Sequence, residues 1–250
     1  MQLIKTKSFT LATYSKGDTD AKKLALVLPG KLDTKDYAHM RSHVDFLASL
    51  GFFALSFDPP GTWESPGDIS LFTTANYIKS VDEIIEYYGN KPTFIAGHSL
   101  GGSIAIISGT RNKQAFSYAA IMSTFKRNDF NEKKYKKWKE DGFSLSVRAL
   151  PPGDGPKVKQ FELPYGSLDE NTLFSLSEDI KISNIPKLFI LGTEDVHTSE
   201  DRIIDTFNAL SNPKALSKIK GAGHDYRKHP ELIEKVNFVI EKFLSEYTKE

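Results

Sequence analysis

Residues 97–101 read Gly-His-Ser-Leu-Gly, a serine flanked by glycine two residues before and two after it. A serine hydroxyl is a poor nucleophile at neutral pH. Acyl transfer through it needs a general base, and that base needs an acid to orient it. As a bare pentapeptide the pattern is a weak signal, but its surroundings strengthen it. An apolar run, Thr93–Ala96, precedes it, and a small-residue stretch predicted helical, Leu100–Ser108, follows it. A serine on so tight a strand-to-helix turn has a strained backbone and a projecting hydroxyl. Side chains at Gly97 or Gly101 would crowd that turn. The helix start beyond it offers unpaired N–H groups to developing negative charge. His98, inside the turn, is expected to point away from the site.

Two later loops supply partners. The run LFILGTED ends a predicted strand and delivers Asp195, while LSKIKGAGHDY ends another and delivers His224. Glu194, Asp201 and Asp225 compete with Asp195 for the role of acid. His224 is the candidate base because it follows the last predicted strand. His39 and His43 lie on the first predicted helix, where a surface or supporting place is expected. His197 and His229 fall near the site without that loop placement. An oxyanion formed in acyl transfer needs two preorganised donors. The N–H of Leu100, directly after the serine, is one candidate. The N–H of Lys31 is the other, in the Pro29-Gly30-Lys31-Leu32 loop after an early strand.

The elements that must position these residues alternate. Short apolar runs at Leu24–Leu28, Phe52–Phe57, Thr93–Ala96, Tyr118–Met122, Lys187–Leu191 and Ala215–Ile219 suit strands buried on both faces of a parallel sheet. Amphipathic stretches at Tyr37–Leu50, Tyr77–Tyr88, Leu100–Ser108, Ile203–Leu210 and Pro230–Tyr247 suit helices between them, the first two stopping at Gly51 and Gly89. Leu3 to Tyr14 reads as one or two antiparallel strands. The alternation predicts a doubly wound α/β fold with a mostly parallel sheet flanked by helices. It predicts no strand–helix pair from Phe125 to Asp179. Residues 1–124 and 180–250 therefore read as the core and residues 125–179 as an inserted lid, too long for a plain loop.

That insertion is electrically polarised. Residues 126–139 carry seven basic side chains against two acidic ones, and residues 140–179 carry three against eight. A solvated helix pairing with the acidic half is the simple reading; a nucleic-acid face is the rival. The insertion also brings Phe125, Phe130, Tyr135, Trp138, Phe143, Phe161, Tyr165 and Phe174. These aromatics suit an acyl or aryl pocket, with Trp138, Phe143 and Tyr165 as the substrate-binding candidates, or else the insertion's own small core.

Composition narrows the chemistry further. The chain has no cysteine, which excludes a thiol nucleophile, a disulfide and cysteine-ligated metal. Its formal net charge of +1 gives no reason to expect a nucleic-acid partner. No apolar run approaches a membrane span, and no signal sequence is visible, so a cytoplasmic protein is expected. The remaining histidines and acids show no ligand spacing, so neither metal nor cofactor is expected. The sequence does not speak to oligomeric state.

Taken in order, the strand-LPG loop, FDPPGTWESPG, GHSLGG, GTED and GAGHD resemble the α/β-hydrolase superfamily over nearly the whole chain outside the insertion. Within it the chain looks most like small bacterial feruloyl (cinnamoyl) esterases and monoacylglycerol lipases. The resemblance implies the α/β-hydrolase fold, Ser99 as nucleophile, Asp195 as acid, His224 as base and a small-molecule ester as substrate. It also implies a shaping role for Asp58–Gly67. One departure stands out: such enzymes usually carry His-Gly-aromatic at the oxyanion loop, where this chain has Pro29, Gly30 and Lys31. A thioesterase, acyltransferase or small peptidase would use the same three residues. A non-catalytic binding protein of the same fold would lack one of them.

Overall fold

The computed structural model describes residues 2–125, 132–151, 157–169, 172–173 and 175–247. Eight strands form one sheet: β1 (Gln2–Lys5), β2 (Thr10–Lys16), β3 (Leu24–Leu28), β4 (Phe53–Phe57), β5 (Thr93–His98), β6 (Ala115–Ile121), β9 (Lys187–Gly192) and β10 (Lys214–Ile219), in the order β1-β2-β4-β3-β5-β6-β9-β10. β1 and β2 are antiparallel, as is the β2–β4 pair, and every pairing from β4 to β10 is parallel.

The near-continuous apolar runs have a direct structural cause. Successive side chains of a strand point to opposite faces. In β3, Leu24, Leu26 and Leu28 enter one core cluster, whereas Ala25 and Val27 enter the other. Each face is covered by helices. α1 (Ala38–Ser49) and α7 (Pro230–Tyr247) pack Met40, Val44, Val236 and Ile240 on the second cluster. α2 (Thr74–Tyr87) and α3 (Leu100–Arg111) pack Val81, Ile84, Ile104 and Ile107 on the first, with Ile203 of α6 (Glu200–Asn208). α1 and α2 end just ahead of Gly51 and Gly89, as the sequence predicts. Among the described residues no helix is long and apolar enough to cross a membrane.

Residues 125–179 depart from the expectation of no regular pairing. They contain α4 (Glu132–Asp141), a two-stranded antiparallel sheet of β7 (Phe143–Ala149) and β8 (Val158–Pro164), and a short α5 (Glu178–Lys181). The hairpin's inward face carries Phe161 and Leu163, both buried in the first core cluster. Its outward face leaves Phe143, Leu145 and Val147 at 43%, 55% and 52% exposure. The lysines of α4 pair with the acids at the start of the acidic half: Lys136 with Glu140 at 3.8 Å and Lys137 with Asp141 at 2.7 Å. The aromatics Phe130 and Phe174, the side chain of Tyr135 and residues 152–156 lie outside the described residues.

Candidate active site

Ser99 is the residue between β5 and α3, and its backbone sits at φ 53° and ψ −120°. Only the surrounding packing sustains such a conformation in a non-glycine residue. The Ser99 N–H donates to the Ile121 carbonyl at 2.9 Å, tying the turn to β6. The Ser99 carbonyl accepts from the Gly102 and Ser103 N–H groups and so starts the helix. The two glycines are required by space. A Cβ on Gly97 would lie 2.1 Å from the Gly101 carbonyl oxygen, and one on Gly101 would lie 2.2 Å from that of Leu28.

The three residues that the loops deliver meet here. The Ser99 Oγ lies 3.0 Å from Nε2 of His224, and Nδ1 of His224 lies 2.8 Å from Oδ2 of Asp195. An ionised carboxylate only accepts, so His224 donates Nδ1–H to Asp195 and leaves Nε2 to accept from the serine. Oδ1 of Asp195 accepts from the His197 and Thr198 N–H groups at 2.8 and 2.9 Å. Burial alone would raise the Asp195 pKa. The hydrogen bond and charge of His224, with those two N–H groups, outweigh burial and hold the carboxyl below its usual range. None of the competing acids bonds to His224: Glu194 and Asp201 are exposed, and Asp225 pairs with Arg227 at 3.0 Å.

The loop after β3 closes the other side of Ser99. A Cβ on Gly30 would lie 3.4 Å from that of Ser99, so the main chain passes directly beside the nucleophile position. The Asp33 N–H donates to the Gly30 carbonyl at 3.1 Å, closing a turn with Leu32 at φ 55°. Lys31 lies in that turn, and Leu100 is the first residue of α3, whose N–H has no carbonyl four residues back. Asp58, fully buried, holds the turn from below. It accepts from the Thr34 hydroxyl at 2.8 Å and from the Lys35 and Glu64 N–H groups, and faces the Lys35 ammonium at 3.3 Å.

The histidines differ from expectation. His39 and His43 are fully buried, not on the surface. His98 does not turn away from its neighbours: its ring centroid lies 4.8 Å from that of His224 and 5.2 Å from that of His39. His43 joins Asn237 at 2.5 Å and the Tyr226 hydroxyl at 2.8 Å. Burial lowers the pKa of all three, His43 to about 4. His197 is exposed, with its ring 5.1 Å from that of His224, and His229 is exposed beside Glu231. Asp33, which the sequence reading did not single out, faces His98 at 3.9 Å and Arg227 at 3.1 Å. Burial would raise its pKa, but His98 and the Arg227 charge hold it low.

The sequence spacing also gave no metal grouping, yet Asp33, His39 and His98 bring buried ligand-type atoms within 4.8 Å of one another. The Asp33 carboxylate already has the Arg227 guanidinium as its counterion. One signal for the buried histidines was present. His39 and His43 stand at i and i+4 on the α1 stripe that carries Met40, Val44 and Leu47. No local signal joins Asp33 to Arg227, 194 residues away.

The aromatic candidates divide. Trp138 lies under the Lys31 ammonium, 5.3 Å from ring centroid to Nζ, and its indole N–H donates to the Leu163 carbonyl. Tyr165 meets Trp138 edge-on at 5.8 Å. Phe143 is not brought to the site, because it points outward from β7. Phe125 and Phe161 are buried in the main core.

The comparisons agree with this architecture. A family model described as the alpha/beta hydrolase fold matches residues 26–149. The chain has the α/β-hydrolase fold. A Mycoplasma genitalium protein, named provisionally as an esterase/lipase, is 27% identical over 194 residues, covering 69% of this chain and 71% of that protein. The structure of Est1E from Butyrivibrio proteoclasticus with ferulic acid superposes with a TM-score of 0.73 at 17% identity over 100% of both chains. The monoacylglycerol lipase of Paleococcus ferrophilus gives 0.71 at 22% identity over 94% of this chain and 98% of that one. This chain has Pro29-Gly30-Lys31 at the turn beside Ser99.

Proposed function

We propose that the chain is a serine hydrolase of carboxylic esters that needs no cofactor. The observation that carries the reading is the unbroken hydrogen-bonded path from Ser99 Oγ through His224 to Asp195. Ser99 attacks the ester carbonyl as His224 Nε2 takes its proton. The tetrahedral oxyanion forms between the Leu100 and Lys31 N–H groups. His224 then protonates the leaving alcohol, and the acyl group stays on Ser99. Water attacks that acyl-enzyme with His224 again as base, releasing the acid and restoring the serine. Asp195 keeps the imidazole in the tautomer that accepts from Ser99 and stabilises its charged form. Residues 125–179 serve as a lid whose Trp138 and Tyr165 line the approach. The names of the similar esterase/lipase and monoacylglycerol lipase favour esters over other acyl substrates.

The test is a panel of p-nitrophenyl esters from short to long acyl chains, with methyl ferulate and a monoacylglycerol added. Ser99-dependent turnover of at least one ester is the expected outcome. Turnover that persists in Ser99→Ala overturns the assignment. Activity confined to thioesters, peptides or acyl transfer would move the substrate and leave the three residues in place.

A further inference from the structure

β7 is built with its polarity reversed. Its apolar residues Phe143, Leu145 and Val147 face outward, while Ser144, Ser146 and Arg148 share the inward face with Phe161 and Leu163 of β8. Arg148 stands directly opposite Lys159 in the antiparallel register. Like charges opposite one another weaken a strand pair, so this placement costs stability in the hairpin itself.

The Arg148 guanidinium lies over the turn beside Ser99. Its Nη2 donates to the Lys31 carbonyl at 2.6 Å, one residue beyond Gly30, which abuts Ser99. Its Nε is buried and makes no hydrogen bond. Among the described residues no carboxylate pairs with Arg148 or Lys159. The nearby acids are committed elsewhere: Asp33 and Asp225 to Arg227, Asp36 and Glu64 to Lys35. Lys159 donates to the Trp63 carbonyl at 2.7 Å and lies over the Trp63 and Phe161 rings. Two cations thus face inward at one end of the hairpin, with no carboxylate partner among the described residues. A planar guanidinium with spare N–H donors matches a carboxylate in two-point geometry.

We propose that Arg148, with Lys159 opposite it across the hairpin, forms a subsite for a carboxylate carried by the substrate, so that the preferred esters are anionic. The inference builds on the reading of Ser99 as the nucleophile. It names the substrate class for that same site.

Two matched pairs test it. Mono-p-nitrophenyl glutarate against p-nitrophenyl valerate places the carboxylate on the acyl side. 4-Butyryloxybenzoate against phenyl butyrate places it on the alcohol side. In one pair the anionic ester should have a kcat/KM at least tenfold above its neutral partner. The ratio should fall to about one in Arg148→Gln, recover in part in Arg148→Lys, and shrink as NaCl rises from 50 to 300 mM. Comparing the two esters within each variant cancels any general loss from disturbing the Lys31 turn. Ratios at or below one in both pairs, or a ratio that survives Arg148→Gln, overturn the subsite. Should no ester show Ser99-dependent turnover, the hydrolase reading fails and binding decides the subsite by itself. Calorimetry on Ser99→Ala should then give tighter binding of the anionic ester, lost on adding Arg148→Gln. Equal affinity for both esters overturns it.

Discussion

The sheet and the hairpin of residues 143–164 use strands in opposite ways. In β3, β4, β5 and β9 every residue is buried, so both faces of each strand are fixed by packing. In β7 burial alternates between partial and none, and the inward-facing residues are serine and arginine. The Ser99 turn belongs to the first kind of structure, held by main-chain atoms in contact with main-chain atoms. Arg148 belongs to the second, a side chain laid across that turn. Under the proposed function this contrast is a division of labour: the sheet holds Ser99, Asp195 and His224 still, and the hairpin selects what reaches them.

The sharpest way to break this division is at the sheet. Ser99→Ala should lower kcat by about four to six orders of magnitude while the thermal melt stays unchanged. A much smaller loss would mean that the reacting group lies elsewhere. Next comes Gly101→Ala, whose Cβ meets the Leu28 and Pro29 carbonyl oxygens at 2.2 and 2.5 Å. Urea unfolding should show a destabilisation of about 3 kcal/mol or more. Ser144→Ala on the hairpin serves as the near-neutral control.

The third test uses pH. Burial pushes the His43 pKa down to about 4 in the folded state, from about 6.5 in the unfolded chain. Above pH 6.5 both the folded and unfolded states hold it neutral. As pH falls the unfolded chain takes the proton first, so folding stability declines from pH 6.5 towards 4, by up to about 3 kcal/mol from this residue. His43→Gln should remove that share of the slope, leaving what His39 and His98 contribute in the same direction. A slope equal to that of the wild type would show that His43 is not buried in the neutral form. The smallest effect belongs to the outer hairpin face. Leu145→Ser or Val147→Ser should shift stability by no more than about 0.5 kcal/mol, read from the urea midpoint. A larger loss would mean that this face is covered.

The same contrast explains what the sequence could reveal. Runs such as LALVL and LFIL identify themselves because burial on both faces favours continuous apolar residues. Ser99 and Asp195 stand out as candidates because each follows such a run, whereas His224 follows β10, which is only partly buried and carries lysine and serine. The hairpin was not recognised, although Phe143, Leu145 and Val147 alternate with serine and arginine at the period of a strand. The alternation also carries no sign of which side faces in, and here it faces opposite to the usual rule. Phe143 was therefore expected at the site and lies outside it. The Asp33–Arg227 and Arg148–Lys31 contacts join residues far apart in the chain, and neither has a local pattern to announce it.

The hydrogen bonds that fasten the hairpin of residues 143–164 to the core have one chemistry in common. Arg148 donates to the carbonyl of Lys31, Lys159 donates to that of Trp63, and the Tyr37 hydroxyl donates to that of Ala149. In each of these hydrogen bonds the acceptor is a peptide oxygen, which every amino acid possesses. Replacing the side chain at 31 or 149 leaves the acceptor in place, whereas at 63 the ring under the Lys159 ammonium would be lost as well. These hydrogen bonds are thus indifferent to residue identity on the accepting side. The wall beside Ser99 can be re-lined one residue at a time while its anchorage stays in place.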